Sequence, residues 1–289
     1  LFFGVENFPR AGETVVSEEY LFEPGGKGYN QAVAAARLGA SVCFITSVGN
    51  DAFGHSCQDY LKAEGITEHF IKQCSLPTAS ASIIYDSLGT SRVIVYPGAS
   101  LGLTREDLFQ TQDLIANCDF LLLQNELPVE ILSAAVELAA ELGVQVIFNP
   151  APAGEFESSL LEKVYAITPN EGEAAVLAGL TTGSPPQKLA EKLHLRGAKR
   201  VIITLGERGV YVSAEGRATH LKAMDVQAVD TTGAGDTFNA ALAVSLARGF
   251  ELSEAARYAV MASGLAVTKR GVMAAIPGKE DVDLLYNRS

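Results

Sequence analysis

The sequence predicts an α/β fold: a mostly parallel sheet flanked by helices on both faces, with a small β-sheet lid. Three observations carry this. Short β-rich runs alternate with helix-forming runs through most of the 289 residues, the pattern of strand–helix–strand units. The runs 42–46, 120–123, 144–148, 165–168 and 201–204 are apolar almost without a break, as strands buried on both faces are. Residues 14–22 and 79–96, the latter turning through Asp86, Ser87 and Gly89, instead read as strands half exposed to water. They supply the lid, over about residues 9–24 and 79–98 of a single domain spanning 1–289; edge hairpins of the main sheet would give the same pattern.

The helices follow from periodicity. Residues 31–38 are apolar nearly all round, 129–142 are rich in strong helix formers, and 238–248 and 254–268 close the chain's apolar pattern. Gly39, Gly143 and Gly249 stand where helices end in a left-handed residue. Ser253 stands where an N-cap for the last of these belongs.

Composition excludes some classes of function. With a formal net charge of −12 the chain is a poor match for nucleic acid, whose affinity comes from clustered Lys and Arg. An apolar share of 48% without a long apolar run excludes a membrane span. Cys43, Cys57, Cys74 and Cys118 form no CxxC pair and have no His at metal spacing. With no leader-like N-terminus, a reducing cytoplasm is the expected location.

The chemistry concentrates at strand ends. Asp230-Thr231-Thr232-Gly233-Ala234-Gly235-Asp236 follows a strand and opens an apolar helix. Gly233, Ala234 and Gly235 let backbone N–H groups turn toward an anion at the helix's positive end. Asp236 beside such an anion hole is repelled by the charge it faces unless it accepts a proton there; a helix cap is the plain alternative. Gly25-Gly26-Lys27-Gly28-Tyr29-Asn30 matches neither GxxxxGK[ST] nor GxGxxG. It suits either a tight turn or a polyhydroxylated ligand, whose hydroxyls need both donors and acceptors. Asn170 and Glu173 share a helical face, where they could orient a phosphate and hydrated Mg²⁺ or form a capping box. Thr204, Leu205, Gly206, Glu207, Arg208 and Gly209 turn one strand into the next, as a nucleotide edge or a simple hairpin. Gln124-Asn125-Glu126 and Asn149-Pro150 add polar groups after two more strands.

These segments together resemble the ribokinase family of sugar kinases over almost the whole chain: GGKGYNQAVAAARLGA, LLLQNE, NPAPA, ITPNEGEA, VIITLGERGV and DTTGAGDTFNAA occur in the family's order. The resemblance implies a Rossmann-like sheet with sugar held under a β lid, and transfer of the γ-phosphate of ATP to a sugar hydroxyl, D-ribose giving D-ribose 5-phosphate. It makes Asp236 the catalytic base over an anion hole of Gly233, Ala234 and Gly235. It assigns Gly26, Lys27, Gly28, Asn30 and Glu126 to the sugar, and Asn170, Glu173, residues 204–209 and Gly235 to ATP and Mg²⁺. It also implies a K⁺ site built from Asp230, Thr232, Ala266, Lys269, Gly271 and Ala275, with Ala275 standing where relatives can offer a hydroxyl, and a homodimer formed through the lid.

One departure stands out. The family opens with a strand and an Asn-x-Asp element that grips sugar hydroxyls, whereas here residues 1–4, set against that strand, run directly into Val5-Glu6-Asn7. A true gap at this point would abolish sugar affinity. Tyr29 is bulkier than the small residue ribokinases often carry, so fructose, 2-keto-3-deoxygluconate, deoxyribose or a nucleoside are alternative substrates. A non-catalytic sugar sensor is the alternative outside enzymology.

Overall fold

The computed structural model describes residues 1–87 and 91–288, the side chain of Glu68 excepted. The Gly89 expected in a turn lies outside the described residues. In chain order the strands are β1 (Phe2–Gly4), β2 (Glu19–Leu21), β3 (Cys43–Gly49), β4 (Glu68–Cys74), β5 (Ser80–Tyr85), β6 (Ser91–Tyr96), β7 (Phe120–Gln124), β8 (Gln145–Asn149), β9 (Ala166–Ile167), β10 (Arg200–Thr204), β11 (Val210–Ala214) and β12 (Arg217–Leu221).

The main sheet runs β12-β11-β10-β9-β8-β7. Its pairs from β7 to β10 are parallel, and β11 and β12 add an antiparallel edge. The period-two alternation of a strand sorts its side chains to two cores. Val146, Phe148, Val201 and Ile203 point to one face, where they pack with Leu132, Ala174 and Leu189 of the helices Val129–Leu142, Glu171–Ala178 and Pro186–Leu195. Ile147 and Ile202 point to the other, against Phe238, Leu242 and Tyr258 of the helices Ala234–Ala247 and Leu252–Ala266. This explains why these strands read as unbroken apolar runs.

β3 and β4 form a separate parallel pair. The sheet expected to be continuous is thus interrupted between β3 and β7. An apolar cavity of about 1010 Å³ reaches from the strand-end cleft into this interruption, past Phe44, Ile45, Leu121 and Leu123.

The small sheet runs β2-β1-β5-β6. It departs from expectation in two ways. Residues 14–18 make no ladder, so the long first lid strand shrinks to β2. Phe2–Gly4 belongs to this small sheet: it pairs antiparallel with β2 and parallel with β5, and the Val5 N–H continues the pairing to the Tyr85 carbonyl at 2.9 Å. Setting residues 1–4 against a main-sheet strand, with a break before Val5, is therefore incorrect: Phe2–Gly4 is a strand of the small sheet and Val5 follows it on the same edge of β5. Three residues are too few for alternation to reveal which sheet they join.

The small sheet is tied to the body at one corner. Glu19 on β2 accepts from the Tyr85 hydroxyl at 2.6 Å and pairs with Arg270 at 3.0 Å, while Glu23 accepts from the Val272 N–H at 3.0 Å. Gly143 caps its helix in the left-handed conformation as expected. Ser253 does not cap: the helix begins at Leu252 after Glu251, which places Ser253 inside the first turn. Among the described residues no helix is long and apolar enough to cross a membrane.

Ile202 is fully buried, whereas Leu195 is 80% exposed. Ile202→Ala is expected to cost about 2–5 kcal/mol through lost transfer and a cavity between helices, and Leu195→Ala no more than about 0.5 kcal/mol. Urea denaturation of the two variants measures the difference.

Candidate active site

Two helices aim their N-termini at the same point. The first, Lys27–Arg37, starts at Gly26, whose φ of 111° has no side chain to resist it. The second, Ala234–Ala247, starts at Gly233 in the left-handed region with φ 77°. A Cβ on Gly233 would lie 2.8 Å from Val272 Cγ1, so conformation and space both demand glycine there. The N–H groups of Gly235 and Asp236 precede the helix's first closing bond, from Thr237 N–H to the Gly233 carbonyl. They have no acceptor within the helix and are oriented for an anion.

Asp236 sits in that first turn and is 7% exposed. Its Oδ2 accepts from Asn30 Nδ2 at 2.8 Å and its Oδ1 from Gln31 Nε2 at 3.2 Å, both donors coming from the first helix. Burial raises the carboxyl's pKa above the ordinary value; the Lys27 charge and the two amide donors pull it back. The two helix N-termini further favour the anion. This arrangement is more than a cap: the Asp236 side chain bonds to another helix, while the cap position itself belongs to Gly233.

Asn30 is 8% exposed, and its Oδ1 has no hydrogen-bond partner. A buried acceptor left unpaired next to the carboxylate costs free energy unless a ligand donor fills it. Across the cleft, Glu126 Oε2 accepts from the Lys27 backbone N–H at 3.0 Å. Glu126 stands at the open rim, yet its carboxyl faces the cleft interior, where burial raises its pKa against the Lys27 N–H and charge. Gly28 lets the helix close onto β7, since a Cβ there would meet Gln124 Oε1 at 2.9 Å. Tyr29 turns away into the core, its hydroxyl donating to the Cys57 carbonyl at 3.1 Å and its ring edge-on to Phe44.

Asn170 and Glu173 form a complete capping box for the helix Glu171–Ala178, each side chain accepting from the other's N–H at 2.8 Å. The box leaves Glu173 Oε1 and Asn170 Nδ2 outside its own two bonds. Glu173 also feels the charges of Lys27 and Asp236, with burial the main cause of its raised pKa. A bridge between Asn170 and Thr204 brings residues 204–209 alongside, and Arg208 pairs with Glu171. That segment is also the hairpin joining β10 to β11, closed by Leu205 N–H to the Gly209 carbonyl at 2.8 Å. The structural reading of each segment is therefore realised, as a capping box and as a hairpin.

Asp230 joins the two stretches expected to hold a monovalent cation. Its Oδ1 accepts from the Thr232 N–H at 2.9 Å and hydroxyl at 2.7 Å, and its Oδ2 from the Gly271 N–H at 3.1 Å. Both Asp230 oxygens are thus engaged by donors from these two stretches. The Ala266 carbonyl accepts weakly from the Lys269 N–H at 3.4 Å, and Ala275 N–H is bonded to the Val272 carbonyl. Among the described residues no group of three or more His, Cys, Asp or Glu converges as a metal site.

Sequence reasoning placed Asp236, Asn30, Lys27 and Glu126 together but overlooked Gln31. It stands at the head of an apolar run and is 2% exposed. A fully buried amide surrounded by alanines is itself a signal, because such a group must be bonded.

The family model described as pfkB family carbohydrate kinase matches residues 3–279. The ribokinase of Haemophilus influenzae is 38% identical over 280 residues, covering 96% of this chain and 92% of the relative. Among solved structures, the ribokinase of Thermotoga maritima matches with a TM-score of 0.90 at 35% identity, over 100% of this chain and 95% of that one. The ribokinase of Arabidopsis thaliana complexed with ribose and ATP matches with a TM-score of 0.90 at 29% identity, over 100% and 95% of the two chains.

Gly233 at the cap and Gly235 in the first helical turn make different demands on space. A Cβ on Gly235 meets nothing within 4 Å. Gly233→Ala is expected to lose about 1–3 kcal/mol of stability through strain and crowding, and Gly235→Ala no more than about 1 kcal/mol. Equal losses in thermal denaturation would contradict the geometry.

Proposed function

The chain belongs to the pfkB family of carbohydrate kinases, and we propose that within it the protein transfers the γ-phosphoryl group of ATP to the 5-hydroxyl of D-ribose. The observation that carries this is the buried Asp236 carboxylate, held by two amides at a helix N-terminus beside the N–H groups of Gly235 and Asp236. Asp236 accepts the proton of the attacking hydroxyl as its oxygen bonds to phosphorus and the bond to the ADP oxygen breaks. Because the transition state is loose, the base acts late, and a carboxylate suffices. The amides of residues 233–236 stabilise the charge spread over the phosphoryl oxygens.

Gly26, Lys27, Gly28, Asn30 and Glu126 hold the sugar. Asn30 Oδ1 is the acceptor awaiting a sugar hydroxyl, and Glu126 supplies another at the rim. Asn170, Glu173 and residues 204–209 line the nucleotide groove, and Glu173, whose Oε1 the capping box leaves over, would orient water on a phosphate-bound Mg²⁺. That ion, when bound, offsets the charge of the phosphates. Asp230, Thr232, Ala266, Lys269, Gly271 and Ala275 would hold a K⁺, whose charge would steady the loop that Asp230 already ties to Gly271. The chain acts as one domain in the cytoplasm, the small sheet closing over the sugar as a lid. The exposed Tyr20, Val93, Ile94 and Val95 of that sheet are its homodimer surface.

A coupled ADP-release assay with ribose, Mg²⁺ and K⁺ tests the reading. Turnover is expected, falling by about 10²–10⁴ in Asp236→Asn. Because burial raises the Asp236 pKa, the base is lost as pH falls through that raised value, so the acidic limb of kcat/KM should lie above the ordinary carboxylate range. A panel of fructose, 2-keto-3-deoxygluconate, deoxyribose and nucleosides ranked by kcat/KM fixes the acceptor; another sugar outranking ribose would move the assignment. Ribose binding without any phosphorylated product would establish a sensor instead.

A further inference from the structure

We propose that Gln31 is a positioning residue for the transfer, locked by Gln124 into the one amide orientation that donates to Asp236 and leaves the carboxylate's remaining lone pairs to the sugar hydroxyl. The inference rests on Asp236 being the base.

The lock is visible at both ends. Gln124 Nε2, at the end of β7, donates to Gln31 Oε1 at 2.7 Å. With its oxygen so engaged, Gln31 presents only N–H groups to the other side: one to Asp236 Oδ1 at 3.2 Å, the second toward Asn149 Oδ1 at 3.5 Å. Asn149 is fixed in turn, because its Nδ2 donates to the Thr168 carbonyl at 2.8 Å and so turns its oxygen to Gln31. The ends of three neighbouring strands therefore dictate which way the Gln31 amide faces. Reversed, it would put a carbonyl against a carboxylate with no water to intervene, since Gln31 is 2% exposed.

The consequence for Asp236 is geometric. Asn30 takes one lone pair of Oδ2 and Gln31 one of Oδ1, which fixes the plane of the carboxylate while each oxygen keeps acceptor capacity. The charged groups that act on it are Lys27 from its own side of the cleft, Glu126 after β7 and Glu173 from the helix Glu171–Ala178. Lys27 favours the anion and the two glutamates oppose it. The two amides supply the neutral donors that hold the proton-accepting form in place without adding charge near the phosphoryl group.

The test is Gln31→Leu, close in volume and without a donor, read as kcat and KM across pH. The expected result is a fall in kcat of about tenfold or more with KM for ATP within about twofold, and an acidic limb displaced to higher pH. Gln124→Leu, which frees the Gln31 amide without removing it, should displace the limb the same way by a smaller amount. A lower melting temperature with the parental pH profile in both variants would overturn the proposal, because a purely structural amide moves stability and leaves the limb in place. Should Gln31→Leu fail to fold, Gln124→Leu decides alone. Turnover surviving in Asp236→Asn would instead remove the reading of the base, a failure distinct from this one.

Discussion

A carboxylate removed from water is expensive, and the organisation of this site is largely the means of keeping one. Asp236 loses hydration on burial, and each charge-assisted hydrogen bond returns only about 1.5–3 kcal/mol. Two such bonds, two converging helix N-termini and the Lys27 charge together make an ionised group tenable there. All of them require the helices Lys27–Arg37 and Ala234–Ala247 to pack side by side with their N-termini together and little tolerance. That is why Gly26, Gly28 and Gly233 stand where a side chain would strain the backbone or force the elements apart.

The main sheet serves this meeting point. Strands buried on both faces fix their C-terminal ends rigidly, and Gln124, Asn149, Thr168 and Thr204 lie at or just beyond those ends. The small sheet contributes differently. It reaches the body through the Glu19–Arg270 ion pair and through Glu23 on the Val272 N–H, contacts that are polar and partly exposed. Exposed ion pairs hold weakly, so these contacts add little to stability.

Much of this was legible in the sequence, for particular physical reasons. The helix Val129–Leu142 could be read to the residue because its formers are strong and Gly143 ends it. Asp236 stood out because two glycines open an apolar helix there, although the strand expected directly before them is absent, the chain from 222 to 233 forming none. The capping box at Asn170 and Glu173 was legible because a cap residue and a carboxylate three positions on are its signature, and the structure forms it. What the sequence concealed depends on long-range pairing. Nothing in three residues at 2–4 reveals a partner at 83–85, and the separation of β3–β4 from β7 is a property of the assembled sheet. Gln31 escaped notice because periodicity averages over a helix, whereas its role depends on partners 93 and 205 residues away.

The central claim is that Asp236 receives the proton of a sugar hydroxyl next to the amides that receive the phosphoryl group. The most direct measurement is a crystal structure of the protein with ribose and a non-hydrolysable ATP analogue. The account predicts a sugar hydroxyl within about 2.6–3.2 Å of an Asp236 carboxylate oxygen and the terminal phosphate on the N–H groups of residues 233–236. A complex whose reacting hydroxyl contacts a different base, or whose terminal phosphate lies away from that helix N-terminus, would contradict it.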